Sequence, residues 1–225
     1  MDTASYASYT PYTIEEKLLS SGKVIQKFIF GRLCPLDKYL SIIAECQEVY
    51  LPPKFNHPIH NLPYGILKIV IYNSNYSHLI SNLPASLLNL IIYMKNARNY
   101  VRHLPHGLQE ISIYELDFDY TILPSTCTKI TFLDAIDSKI LEELPDTIEE
   151  IELTHVYISH QVSRTPSRIP AHLKRIILHI DMDTVIDTVL SSSKYHTPSY
   201  NYISFKVLIL QLNPNVIFQK KTNYL

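Results

Sequence analysis

Apolar positions in this chain follow one pattern, Leu-Pro-x-x-Φ-x-x-Φ-x-Φ with Φ apolar, repeated about every 21 residues. It runs through Leu62-Pro63 (Ile66, Ile69, Ile71), Leu83-Pro84 (Leu87, Leu90, Ile92) and Leu104-Pro105 (Leu108, Ile111, Ile113). It continues through Leu123-Pro124 (Cys127, Ile130, Phe132), Leu144-Pro145 (Ile148, Ile151, Leu153) and Ile169-Pro170 (Leu173, Ile176, Leu178). A unit of this size cannot bury its own apolar side, so neighbouring units must stack into a solenoid. The pattern predicts burial of every Leu and Φ position in the first three copies.

The same register fits Ile25-x-x-Phe28-x-Phe30 and Cys46-x-x-Val49-x-Leu51 upstream, and Val207-x-x-Leu210-x-Leu212 downstream. About nine coils result, with strand ends expected at 30, 51, 71, 92, 113, 132, 153, 178 and 212. Each Φ-x-Φ element has the two-residue period of a strand with one buried face. Equivalent strands in successive coils run the same way, which predicts a parallel sheet. The return segments are too short for long helices and are expected to mix turns, extended chain and 3-10 pieces. Phe55, Tyr76, Ala97 and Leu116, with Ile59, Ile80, Val101, Tyr120 and Leu141, recur there and are expected to close the core, until Asp137 breaks the first of these columns.

A solenoid exposes its core and a sheet edge unless its ends are capped. Thr13-x-x-Glu16 ahead of Leu18 and Leu19 has the form of a capping box, which predicts a short capping helix within 13–24. Residues 1–12 are expected to be a mobile tail, and 25–225 a single repeat domain. Asp181–Leu190 is expected to form a short helix, followed by a polar loop at 191–202.

Phe55-Asn56-His57-Pro58-Ile59, followed by Asn61-Leu62-Pro63, resembles the FNIP repeat across roughly 45–180. That family is akin to leucine-rich repeats and abounds in social amoebae and in giant viruses of amoebae. The resemblance implies a β-rich, leucine-rich-repeat-like solenoid; the cysteine usage and the form of the N-terminus set the expected location as cytoplasmic, host cytoplasm if the source is viral. Some members of the family carry an N-terminal F-box, but residues 1–45 do not show one. The asparagine ladder of ordinary leucine-rich repeats is also missing, since Ser74, Lys95 and Leu116 stand three residues past the strand ends.

Composition adds little. Fourteen prolines, mostly in the repeat, mark turns, and 46% apolar residues suffice for a core. A net charge of −1 gives no global field to recruit nucleic acid or a membrane. The charges are segregated, with 11 acidic and 2 basic side chains in 115–152. Cys34, Cys46 and Cys127 show no metal spacing, and Cys46 and Cys127 occupy core positions, so reduced thiols are expected. Met1–Tyr12 lacks the form of a signal peptide, and no apolar run is long enough for a membrane span.

Residues flanking the apolar pairs point outward in three columns. The first runs Glu48, Lys68, Asn89, Glu110, Lys129, Glu150, Arg175; the central one Tyr50, Val70, Ile91, Ser112, Thr131, Glu152, Ile177; the third Pro52, Tyr72, Tyr93, Tyr114, Leu133, Thr154, His179. Tyr50, Val70, Tyr72, Ile91, Tyr93 and Tyr114 make an aromatic-apolar patch, the candidate partner-binding surface. A stacking ladder that stabilises the sheet is the alternative reading of the tyrosines, and the two are compatible. His57-x-x-His60, His103-x-x-His106, Asp117-Phe118-Asp119 and Asp181-Met182-Asp183 lack the accompanying ligands of a metal site. No phosphate-binding, hydrolase or dinucleotide motif occurs, so no catalytic residue, cofactor or metal is assigned. The leading expectation is a non-enzymatic protein-interaction module. The alternatives are an adaptor in ubiquitin transfer and a structural component of a viral assembly. No nucleic-acid or membrane partner is expected, and a free sheet edge at either end can pair two chains into a homo-oligomer.

Overall fold

The computed structural model describes residues 11–31, 35–114, 118–134, 139–154, 166–179, 209–210 and 213–221. Ten strands follow one another in a single sheet in chain order. They are β1 (Tyr12–Leu18), β2 (Val24–Phe30), β3 (Glu48–Leu51), β4 (Lys68–Ile71), β5 (Asn89–Ile92) and β6 (Glu110–Ile113). β7 (Lys129–Phe132), β8 (Glu150–Leu153), β9 (Arg175–His179) and β10 (Ile217–Lys221) complete it. β2 to β10 are parallel, in a register that aligns Val49, Ile69, Leu90, Ile111, Ile130, Ile151 and Ile176. The strand ends at 30, 51, 71, 92, 113, 132 and 153 fall where the repeat puts them.

The Leu-Pro pair makes the turn into each strand. The proline carbonyl accepts the N–H three residues on, from Leu87 at 3.0 Å, Leu108 at 3.0 Å and Cys127 at 2.9 Å. Proline has no N–H to leave unpaired there, and it holds the preceding residue extended. Leu123 (φ −64°, ψ 127°) and Leu144 (φ −69°, ψ 140°) are so held. Asn61 and Asn82, just before two of these pairs, take left-handed φ values of 62° and 55°, which asparagine tolerates best after glycine.

Each coil is stitched to the one before. Leu88 and Asn89 both donate to the Leu67 carbonyl, and Gln109 and Glu110 both donate to that of Leu88. The hydroxyl two residues past the proline does similar work. Ser86 Oγ donates to Ile66 O at 2.8 Å, and Thr126 Oγ1 to Leu108 O at 2.8 Å. Thr147 occupies the same place, yet its Oγ1 is buried with no partner.

The core lies between the sheet and the return segments. Ile69, Ile71, Leu90, Ile92, Ile111 and Ile113 fill it from the strands, and Phe55, Tyr76, Ala97, Ile59, Ile80, Val101, Tyr120 and Leu141 close it. Return segments include the one-turn helices α1 (Leu40–Ile43), α2 (Ala97–Tyr100) and α3 (Ile140–Glu143), with 3-10 turns at Leu36–Tyr39 and Tyr120–Ile122. Among the predicted core positions Leu83 alone is only partly buried, packed against the core edge.

Three expectations are corrected. The N-terminal cap is a β-hairpin and not a helix. β1 pairs antiparallel with β2 from Tyr12 opposite Phe30 to Leu18 opposite Val24. Two forces outweigh the local capping box. Tyr12 stacks on Phe28 at 5.3 Å and meets Tyr39 edge-on at 5.7 Å. Gly22, at φ 78°, closes the turn, with Leu19 N–H donating to Lys23 O at 2.9 Å. Ile25 is buried, but it lies opposite Lys17 on the outer side of the hairpin and stands outside the main core. The last strand is Ile217–Lys221, not 207–212, because Leu210 sits in a helical turn and Val216 and Phe218 supply the final core contacts. Val207, Leu212, Leu116, Asp137, the expected helix at 181–190 and loop at 191–202, and residues 1–10 of the expected tail lie outside the described residues.

Candidate protein-interaction face

The sheet face turned away from the core carries the three columns the alternation predicts. Neighbours within a column are set by the parallel register, so Tyr50, Val70 and Ile91 stand side by side. The ladder of hydrogen bonds runs one residue past each strand, through Tyr93 N–H to Ile71 O at 2.8 Å and Tyr114 N–H to Ile92 O at 3.0 Å. These bonds bring the tyrosines into line. Ring centroids are 5.0 Å apart for Tyr72–Tyr93 and 6.0 Å for Tyr93–Tyr114, with planes tilted by 31° and 33°. Tyr72 is 41% exposed; Tyr93 and Tyr114 are half-buried. Burial and the neighbouring Tyr72 raise the Tyr93 phenol pKa.

One member of the predicted patch is not available to a partner. Val70 is 0% exposed. It is the smallest apolar side chain in its column and stands between the larger Tyr50 and Ile91. Glu48, Thr131, Glu152 and Ile177 on the same face are buried too. The face is therefore a closely packed layer, on which Tyr72 and Arg175 are exposed.

Tyr50 belongs to a polar network and is not part of the tyrosine stack. Its hydroxyl donates to Glu48 Oε2 at 2.8 Å, and Lys27 Nζ lies 4.3 Å from its ring centroid. Lys17 Nζ reaches Glu48 Oε1 at 3.1 Å. Burial raises the Tyr50 phenol pKa, and the Glu48 carboxylate adds to that. Burial works against the charged form of Glu48. The hydrogen bonds from Tyr50 and Lys17 and the charges of Lys17 and Lys68 outweigh it, so its pKa falls below the ordinary value. Burial depresses the pKa of Lys68.

Beyond Asn89 the first column becomes a cross-strand ion ladder. Asn89 Nδ2 donates to Glu110 Oε2 at 2.7 Å. Lys129 Nζ bridges Glu150 at 3.0 Å and Glu152 at 2.9 Å. Arg175 Nε meets Glu150 at 2.6 Å, and His179 Nε2 lies 2.5 Å from Glu152 Oε1. Opposite charges on adjacent strands satisfy one another here, so Glu150 and Glu152 of the acidic stretch 115–152 are paired within the sheet.

Other candidates dissolve into structure. Asp119 caps the 3-10 turn, accepting from Thr121 N–H at 3.1 Å and Oγ1–H at 2.6 Å. His60, His103 and His106 are exposed, and among the described residues no group of three or more His, Cys, Asp or Glu is placed to hold a metal. Cys46 and Cys127 are free and buried, and burial pushes the Cys127 thiol up to about 12. Asp117 and Asp181-Met182-Asp183 lie outside the described residues. Asn73 was not singled out by the repeat. It is buried two residues past β4, donates Nδ2 to Phe55 O at 2.8 Å and accepts from Asn75 N–H at 2.9 Å. It does locally what an asparagine ladder would do, one position earlier than expected. Met94 stands at the same place in the next coil, which hid the signal.

Among the described residues no helix is long and apolar enough to cross a membrane. No family model matches the chain, and no curated protein matches it. A solved structure described as CroV588, a novel circular LRR protein, is similar at 22% identity with a TM-score of 0.40. The match covers 76% of this chain and 32% of that one, so this chain spans about a third of its length.

Proposed function

We propose that this protein is a non-enzymatic interaction module that binds a protein partner on the outer sheet face. The observation that carries the reading is the aligned column Tyr72–Tyr93–Tyr114, with Tyr72 41% exposed. Tyrosine edges offer large contact area and a hydroxyl at low entropy cost, and binding energy concentrates in such anchors. Ile91 borders the column half-buried, and Val70 beside it is buried. Tyr50 flanks it through the Glu48 network and serves as a support more than an anchor.

Replacing Tyr72, Tyr93 and Tyr114 together by Ser tests this. None of the three fills the main core, so the solenoid is expected to stay folded by circular dichroism. Affinity capture followed by mass spectrometry should recover a stoichiometric protein with the wild type and lose it with the triple variant. Unchanged capture by the folded triple variant would sink the reading. The adaptor alternative gains no support from the N-terminal segment, since Tyr12–Leu18 is a strand and not the expected capping helix.

A further inference from the structure

The sheet ends on β1, which pairs with β2 and with no other described strand. Thr13–Leu18 are all exposed. Of the seven large apolar residues exposed among the described residues, three sit on this hairpin: Ile14 at 40%, Leu18 at 70% and Val24 at 52%. A seven-residue edge strand that no second described strand pairs, with an exposed apolar strip, is a template for another strand.

The sequence of β1 says which strand. Ile14 is opposite Phe28, so Ile14, Glu16 and Leu18 lie on the core side of the sheet. Glu15 is opposite Lys27, so Thr13, Glu15 and Lys17 lie on the other side. Two copies of β1 can pair antiparallel about a two-fold axis normal to the sheet. Face is conserved only if the axis passes through a residue, not between two. With the axis at Glu16, Ile14 of each copy meets Leu18 of the other, and Glu15 of each meets Lys17 of the other. Both apolar pairs and both charge pairs are then complementary. The one mismatch is Glu16 against itself. With the axis at Glu15, Ile14 would face Glu16 and Thr13 would face Lys17, and neither the apolar strip nor the charges would match. Glu15 and Lys17 are half exposed in side chain, at 50% and 49%, so each can take a second partner beside Lys27 and Glu48.

We propose that β1 is a homodimerisation edge, joining two copies into one continuous sheet through a two-fold axis at Glu16. This surface is separate from the tyrosine column, and the proposal stands or falls independently of the partner reading. One strand pair is a small interface, so the dimer is expected to be reversible and concentration-dependent.

Sedimentation equilibrium on the full chain tests it, with dimer expected at about 100 µM and monomer on dilution. Leu18→Lys should leave a monomer with an unchanged melt, and Glu16→Gln should tighten the dimer several-fold. Charge reversal separates this from a purely intrachain role. Glu15→Lys alone and Lys17→Glu alone each set like charges across the axis and should weaken the dimer. The double variant Glu15→Lys/Lys17→Glu restores opposite charges across the axis and should recover it. Within one chain the same double variant sets like charges against both Lys27 and Glu48, so an intrachain role predicts that it is the worst of the three. A wild-type monomer at the highest concentration, a dimer indifferent to Leu18→Lys, or no recovery in the double variant would each overturn the proposal. If Leu18→Lys fails to fold, the charge series at exposed positions decides alone. The Tyr72/Tyr93/Tyr114 triple variant should dimerise like wild type.

Discussion

Leu90 sits at the middle of the solenoid, 0% exposed, between Ile69 and Ile111 on the adjacent strands. Leu90→Ala leaves a cavity that rigid neighbouring coils cannot fill, and should cost about 2–5 kcal/mol in a denaturant melt. A loss below about 0.5 kcal/mol is incompatible with that placement. Glu48 makes a different point at the same scale. Its folded-state pKa is depressed, so its stabilisation is complete above the ordinary carboxylate range and is lost as pH falls through the depressed value. Glu48→Gln should therefore flatten the acid limb of stability against pH while lowering stability at neutral pH. An acid limb as steep as that of the wild type would count against this network.

Turns repeat as faithfully as strands, and the hydroxyl column after the prolines gives a paired comparison. Thr126 Oγ1 donates to the preceding coil, whereas Thr147 Oγ1 is buried without a partner. Thr126→Val should cost about 0.5–1.5 kcal/mol, and Thr147→Val should be neutral or stabilising. Equal losses at the two sites in thermal melts would refute the contrast. The strands were legible because their period of two is carried by six near-identical copies, and one residue of slip would turn every side chain over. The hairpin was not, because Thr13-x-x-Glu16 is a local signal and the partner that overrules it, Phe28, is reached only through tertiary pairing. Ser21-Gly22 was the available clue, a turn dipeptide between two apolar alternations. The tyrosine column was legible for the same reason as the core. The burial of Val70 was not, since it depends on how far the flanking side chains fold over it.

Over the whole molecule, the stack separates residues in proportion to coil count. Cys46 enters β3 and Cys127 enters β7, four coils or about 19 Å apart along the sheet, beyond the roughly 7 Å a disulfide spans. Both thiols are buried with raised pKa values, burial being the main cause for each. Alkylation of Cys46 and Cys127 at mildly alkaline pH should therefore wait for unfolding, and peptide mapping should find no bridge between them. Rapid labelling of the folded chain at either site would show that the coils around it are open.

The hairpin also bears on the order in which the chain assembles. The parallel steps must close loops of 15 to 21 residues as far as β9, and of 37 before β10, whereas β1 meets β2 across a five-residue turn, Leu19–Lys23. The rings of Tyr12, Phe28, Phe30, Tyr39 and Phe55 cluster at the same end. This end is thus expected to form first, each later coil adding to an edge already formed. Substitutions there should slow refolding, whereas Ile176→Val, near the far end, should mainly speed unfolding. The chain would then wind up from its N-terminal side as it is synthesised, each coil templating the next.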